Sequence, residues 1–274
     1  MTHEHLHQLS LRLADQLQPF IAQEAGKLRA CSHPLVHPDR SAHYCRSVYC
    51  PLCSRLRSEQ ESRHLRSILR TVKASRLPNA HFLHVTITAP DCFTDEIRQA
   101  GGQLRKAWHN LIEQRVFRHS AGWLTSLEVV GSKPHPWLEN VHVHAAVVMR
   151  PSYSGRERLS AERWRALIEE CGAGTIRDGY VRAEKNVDTL AAYVIKYNPL
   201  AFQEATQIGI QNPERLIERK GQLKGLKCHT SSGVLKDTVP ANVRLSGLST
   251  DSEWRKLTRQ LAMHPASFEP IPSE

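Results

Sequence analysis

The hydrophobic positions along the chain change period several times, and each change marks an element. From 3 to 29, Leu6, Leu9, Leu13, Leu17, Phe20, Ile21 and Leu28 recur at helical spacing, with Pro19 placed to kink or break the run. The stretch CSHPLVHPDRSAHYCRSVYCPLC loses that periodicity and is dense in Cys, His and Pro, which predicts a loop organised around a ligand. A basic helix is predicted over about 54–76, with Leu56, Leu65, Ile68, Leu69 and Val72 as a partial apolar stripe. Pro78-Asn79 ends this unit and sets the expected boundary of an N-terminal helical, Cys-rich lobe over 1–78.

Alternation takes over in HFLHVTITAP, where Phe82, His84, Thr86 and Thr88 share one face of a strand and Leu83, Val85 and Ile87 the other. Residues 91–118 predict one or two helices, with Gly101-Gly102 as the weak point. GWLTSLEVVG and VHVHAAVVM are two more strands, joined by the loop SKPHPWLEN. The helix SAERWRALIEECG follows, capped by Ser160. Residues 174–183 predict a strand, or a hairpin turning at Asp178-Gly179. NVDTLAAYVIKYN is a short helix whose Ala191, Val194 and Ile195 form a core stripe, while Tyr193, Lys196 and Tyr197 face elsewhere. Residues 213–237 are basic and glycine-punctuated, suited to an edge element or a nucleic-acid contact, and a helix is expected at 251–262 before a loose tail. This order predicts an α+β fold built on an antiparallel sheet, in a second domain over 79–240, followed by a C-terminal helix and tail over 241–274.

Charge adds a partner class. Basic side chains number 37 and acidic ones 27, a formal net charge of +10, which favours a polyanion. No apolar run approaches the ~20 residues that cross a bilayer, and the start MTHEHLHQLSLRL lacks the pattern of a secretory signal, so a cytoplasmic protein without a membrane partner is expected. Seven cysteines, four of them between Cys31 and Cys53, fit a reducing compartment and a metal knot better than a disulfide framework. The turn Cys50-Pro-Leu-Cys53 aims two thiolates at one tetrahedral ion, and Cys45 and Cys31 complete a structural zinc site. His33, His37 and His43 are substitutes if Cys31 is not the fourth ligand. Zinc would hold together a lobe with too little apolar content to fold alone, and the Arg-rich helix behind it would offer charge to DNA. Cys92, Cys171 and Cys228 are expected to be plain thiols.

A second constellation carries the chemistry. His142 and His144, two apart in a strand, project from one face and can share a divalent ion. Glu128 lies in the preceding strand, where a hairpin can bring its carboxylate alongside; His135 in the loop and His84 in the first strand are alternatives for completing the site. An ion bound there would polarise a phosphodiester, and the phenol of Tyr193 can attack it if a cation such as Lys196 helps it ionise. Tyr197, one helical turn on, is a second or alternative nucleophile. Trp137, in a polar loop, is suited to stacking on an unpaired base. No GxxxxGK[ST] phosphate loop occurs, so ligase and helicase chemistry have no support.

FLHVTITAP, then SLEVVG with VHVHAAVV, then LAAYVIKYN resemble, in this order, the three motifs of rolling-circle plasmid replication initiators of the HUH endonuclease superfamily. Cys45-x4-Cys50-Pro-x-Cys53 and LKGLKCHTSSGVLKD resemble flanking regions of the same Rep proteins, so the likeness covers roughly 40–237. The resemblance implies an RRM-like fold with a central five-stranded antiparallel sheet, His142, His144 and Glu128 as ligands of Mg²⁺ or Mn²⁺, Tyr193 as nucleophile and Lys196 as its companion. It implies nicking of one strand at a plasmid origin, often at a hairpin, through a covalent 5′-phosphotyrosine, with a host helicase as partner. A transposase or relaxase of the same superfamily, or a zinc-containing DNA-binding protein without catalysis, are the competing accounts.

Overall fold

The computed structural model describes residues 3–31, 45, 47–195 and 206–236. The described residues fall into two compact units, one within Met1–Arg57 and residues 206–214, the other within Ser58–Asn198 and Arg215–Asn242. In the first unit, α1 (His3–Leu17) and α2 (Ala22–Ala30) pack together, and Leu6, Leu9, Leu13, Leu17 and Leu28 of the predicted helical stripe are all buried. The break between them falls at residues 18–21, around Pro19, which has no amide to continue α1. The division between units lies within α3 (Pro51–Thr71), which starts beside the cysteines and passes into a π-helical turn over Val72–Arg76.

The second unit is built on five antiparallel strands: β1 (His81–Thr88), β2 (Ser120–Gly131), β3 (Glu139–Met149), β4 (Asp178–Ala183) and β5 (His229–Gly233). Their order across the sheet is β4-β1-β3-β2-β5. An α+β fold with a five-stranded antiparallel sheet flanked by helices is therefore present, as expected, with a four-cysteine cluster in the N-terminal unit. Period-two alternation sorts the faces. Leu83, Val85, Ile87, Val141, Val143, Ala145 and Val147 point into a core completed by α4 (Ile97–Ile112) and α5 (Ala161–Gly172). The opposite face carries His84, Thr86, His142 and His144, with α6 (Val187–Val194) packed along β1 and β3.

Helix α4 runs unbroken through Gly101-Gly102, because Gly101 turns its missing side chain toward Leu127 of β2 and lets the helix lie close to the sheet. Asp178-Gly179 does not turn a hairpin: it opens β4, and a Cβ on Gly179 would collide with Ile168 of α5. The cap at Ser160 is where the sequence put it, and Asn186 supplies a second. The Ser160 hydroxyl accepts from the Arg163 amide (3.3 Å), and Asn186 Oδ1 accepts from the amides of Asp188 (2.9 Å) and Thr189 (3.4 Å) at the start of α6. The basic segment 213–237 becomes α7 (Pro213–Leu223) and the edge strand β5. From α7, Arg215 and Arg219 both bond the fully buried carboxylate of Glu139, which also accepts from the Thr94 hydroxyl (3.0 Å). Arg215 also donates to the Pro136 (2.6 Å) and Leu138 (3.0 Å) carbonyls, while Arg219 is buried against the carboxylate, and removing one partner of such a buried pair typically costs about 3–5 kcal/mol.

The predicted helix at 251–262, the rest of the 241–274 segment and Trp254 lie outside the described residues, as do His33, His37 and His43. Among the described residues no helix is long and apolar enough to cross a membrane.

Candidate metal centres and the tyrosine helix

In the first unit Cys31, Cys45, Cys50 and Cys53 come together with their sulfurs within 4.8 Å of one another. The Sγ···Sγ separations are 3.5 Å for Cys31–Cys53 and Cys31–Cys50, and 3.7 Å for Cys45–Cys53. A tetrahedron with ~2.3 Å zinc–sulfur arms has edges of about 3.8 Å, so the four thiols already have the spacing zinc demands. Cys31 is thus one of the four. Pro51 opens α3 directly after Cys50, where a missing amide is harmless, and the first turn carries Cys53 back to the cluster. The amides of Cys45 and Cys53 point at Cys31 Sγ (3.4 Å) and Cys50 Sγ (3.5 Å). Four thiols so close cannot all ionise without a cation. Hydrogen bonds from Cys31, Cys45 and Cys53 hold Cys50 well below the usual thiol range, while those with Cys45, Cys50 and Cys53 push Cys31 up.

The second centre is a product of strand register. Glu128 of β2 stands directly opposite His142 of β3, and Thr86 and Ser126 flank His144 on either side. One carboxylate oxygen, Glu128 Oε2, lies 2.5 Å from His142 Nε2 and 3.2 Å from His144 Nε2. All three side chains are nearly buried, and their donor atoms lie within 4.8 Å of one another. The other nitrogens are occupied. His142 Nδ1 lies 2.9 Å from Asn140 Oδ1, a carbonyl that accepts from it, which turns the other ring nitrogen, Nε2, to Glu128. Asn140 is fixed in turn by its amide donating to Asp91 Oδ1 (3.1 Å), and Asp91 accepts from Ser132 Oγ (2.5 Å) and pairs with Arg177 (2.5 Å). Burial alone would raise the Asp91 carboxyl, but the Ser132 hydrogen bond, the Arg177 charge and Asn140 together hold it below the usual carboxylate range. His144 Nδ1 lies 3.1 Å from both Thr86 Oγ1 and His84 Nε2, and its Nε2 likewise faces Glu128. A donor set of two nitrogens and one oxygen, with both rings held at their far nitrogens, suits a divalent cation.

Tyr193 reaches this face from α6. Its ring stacks on the His84 ring at 5.1 Å and 19°, and His84 stacks on His144 at 5.2 Å and 22°. The Arg182 guanidinium of β4 sits 4.9 Å from the Tyr193 ring centroid. Ala191, Val194 and Ile195 are buried as the predicted core stripe. Helix α6 is anchored by the basic helix: Arg70 grips Asp188 with two hydrogen bonds (2.9 and 2.6 Å), Arg66 lies 3.8 Å from the same carboxylate, and Lys73 donates to the Lys185 carbonyl (3.0 Å). Three of the cations expected to offer charge to DNA are thus engaged in holding α6, because its first-turn acid faces them.

Lys196 and Tyr197 lie outside the described residues. His84 is in the site, but as the ring between His144 and Tyr193; the Glu128, His142 and His144 cluster does not include it, nor His135, whose ring lies 5.4 Å from Trp137. Trp137 is 62% exposed. The sequence reading missed Asp91, Asn140 and Arg182. Asn140 shares the face of His142 and His144 by simple alternation, so it was within reach; Asp91 and Arg182 come from other strands and loops and needed the register.

The family model described as Replication protein matches residues 39–253. Three similar curated proteins are each called Protein rep. That of Streptococcus pneumoniae is 26% identical over 55% of this chain and 45% of its own, and that of Lactiplantibacillus plantarum 25% identical over 59% and 54%. That of Lentilactobacillus hilgardii is 24% identical over 55% and 46%. The chain thus spans about half the length of the curated relatives it matches. No solved structure matches it at a significant level.

Proposed function

Since this chain belongs to the Replication protein family, we propose that it is a metal-dependent, site-specific single-strand DNA endonuclease that nicks a plasmid origin in the cytoplasm and starts rolling-circle replication. The observation that carries the proposal is a continuous contact: Glu128 bridges His142 and His144, His144 stacks on His84, and His84 stacks on Tyr193. A phenol held one imidazole away from a two-histidine, one-carboxylate cation site is the equipment of phosphodiester transfer to tyrosine.

A magnesium or manganese ion held by Glu128, His142 and His144 would polarise the scissile phosphate and neutralise the charge that gathers on it. The chain's own residues do the rest. Asn140 and Thr86 hold the two imidazoles by their Nδ1 atoms, with both Nε2 atoms turned to Glu128. His84 fixes the plane of the Tyr193 ring, and the Arg70–Asp188 clamp fixes the helix that carries it. Tyr193 Oη attacks phosphorus; the new O–P bond forms as the bond to the 3′ oxygen breaks. The phenol loses its proton to solvent and the 3′ oxygen gains one, leaving a free 3′-OH for a polymerase and a 5′-phosphotyrosine on the protein. Lys196, three positions on in the sequence, would supply a cation, and Tyr197 would serve a second transfer. A host helicase would open the duplex ahead of the new end. The four cysteines would hold zinc, which supplies tetrahedral cross-linking to the first unit.

The test is peptide mapping by mass spectrometry after incubation with single-stranded origin DNA and Mn²⁺. An oligonucleotide adduct on Tyr193, absent from Tyr193→Phe, is expected. Tight DNA binding with no adduct under any divalent metal would instead make the chain a non-catalytic DNA-binding protein. An adduct on Tyr197 would keep the reaction and reassign its nucleophile.

A further inference from the structure

The edge strand β4 carries two side chains that the scheme above does not use. Tyr180 and Arg182 are two residues apart and therefore share a face, the one that bears the histidines. Their strand partners place them: Tyr180 pairs with Thr86, which pairs with His144 on the far side, and Arg182 pairs with His84. Tyr180 is 42% exposed, a large aromatic left open to solvent, and its ring meets His84 edge-on at 6.1 Å and 90°. The Arg182 side chain is 48% exposed, lies 4.9 Å from the Tyr193 ring and 3.3 Å from Glu184. An open guanidinium beside an open phenol ring, both next to a cation site, matches the alternating chemistry of one nucleotide, with phosphate at one end and an aromatic base at the other. Among the described strands β4 is an edge of the sheet, paired with β1 alone.

Resting on the phosphotyrosine reading, we propose that β4 is the nucleotide subsite of the reaction: Arg182 binds the phosphate that Tyr193 attacks, and the Tyr180 ring stacks on an unpaired base beside it. Arg182 makes no proton transfer. It stays charged through the step, supported by its contacts with Tyr193 and Glu184, and stabilises the negative oxygens as the O–P bond to Tyr193 forms. Tyr180 contributes only a ring face, so its hydroxyl is dispensable.

The two roles separate kinetically. Arg182→Ala is expected to slow single-turnover adduct formation about 10²-fold, the usual effect of losing one fixed charge-stabilising donor, with Arg182→Lys recovering part of the rate. Tyr180→Ala is expected to raise the half-saturating oligonucleotide concentration about tenfold with the maximal rate unchanged, and Tyr180→Phe to behave as wild type. A readout without chemistry uses Tyr193→Phe and oligonucleotides with 2-aminopurine at each base flanking the cleaved bond. Fluorescence should be quenched at one of these positions, and the quenching should vanish with Tyr180→Ala. If a Tyr193 adduct forms at wild-type rate and half-saturation in both alanine variants, the subsite is wrong and the nicking reaction stands. If wild-type protein forms no tyrosine adduct at all, the proposed function falls and the subsite with it.

Discussion

The two clusters of metal-binding side chains differ in every respect that decides what a metal does. The cysteine cluster is all sulfur, has four donors already at tetrahedral spacing and is closed around itself by amides aimed at two of its sulfurs. The cluster on the sheet is two imidazoles and a carboxylate, three donors from two neighbouring strands, with the remaining nitrogens held by Asn140, Thr86 and His84. Four soft donors fill the coordination of zinc and leave nothing to react; three harder donors leave room for a phosphate oxygen. On the proposed function one chain would use metal twice for opposite ends, to cross-link a small unit and to bring charge to a reaction in a larger one. The sheet cluster lies on a face whose reverse side is a packed core that includes valine, isoleucine and tryptophan.

That contrast can be broken at either end. The largest effect is expected from Cys50→Ser, which removes a buried ligand and with it a binding free energy of order 10 kcal/mol. Zinc content should fall toward zero and the helical signal of the first unit should melt early by circular dichroism; retention of zinc would show that three thiols suffice. His144→Ala should do the reverse, leaving zinc and helical content in place while adduct formation drops by about 10³-fold or more. A variant that lost both together would mean the sheet cluster is structural as well. Asp91→Asn sharpens the account of the sheet site. It weakens the grip on Asn140, so Mn²⁺ affinity measured by calorimetry should fall about 10-fold to 100-fold with every ligand still present. The smallest effect concerns His229 of β5. Burial holds its ring below the usual imidazole range, only partly opposed by a backbone hydrogen bond at Thr125. The unfolded chain therefore takes up this proton more readily than the folded one. The stability it contributes is full above about pH 6.5 and is lost as pH falls from there through the folded value. Thermal melts of His229→Gln should accordingly lose less between pH 7 and pH 5 than wild type.

Much of this was legible before any coordinates. Strict alternation set the faces of β1 and β3 because one face had to be apolar, and the same alternation put His142 and His144 on the other. The cysteine spacing pointed to Cys45, Cys50 and Cys53 with Cys31 as first choice for a fourth, and these four thiols do come together. What sequence could not supply was register. The loop over 132–138 contains two prolines and could have offset Glu128 from the histidines; it does not, because the buried Glu139–Arg215–Arg219 cluster holds the base of β3 and the Ser132 amide bonds the Leu138 carbonyl (3.0 Å) to close the loop squarely. The basic stripe of α3 read as a DNA surface because its acidic partner, Asp188, lies more than a hundred residues away. Arg182 was invisible for a related reason: the segment around it suited a hairpin as well as a strand, and only pairing with β1 shows which face it occupies.

The most direct measurement joins both halves of the contrast in one sample. Protein dialysed against EDTA is assayed for zinc by atomic emission and for adduct formation on single-stranded origin DNA, then assayed again after Mn²⁺ is added. The account predicts one zinc retained per chain, no adduct on Tyr193 before Mn²⁺ and full adduct formation after it. Adduct formation in the dialysed protein, or recovery that requires zinc to be returned to the cysteines, would contradict it.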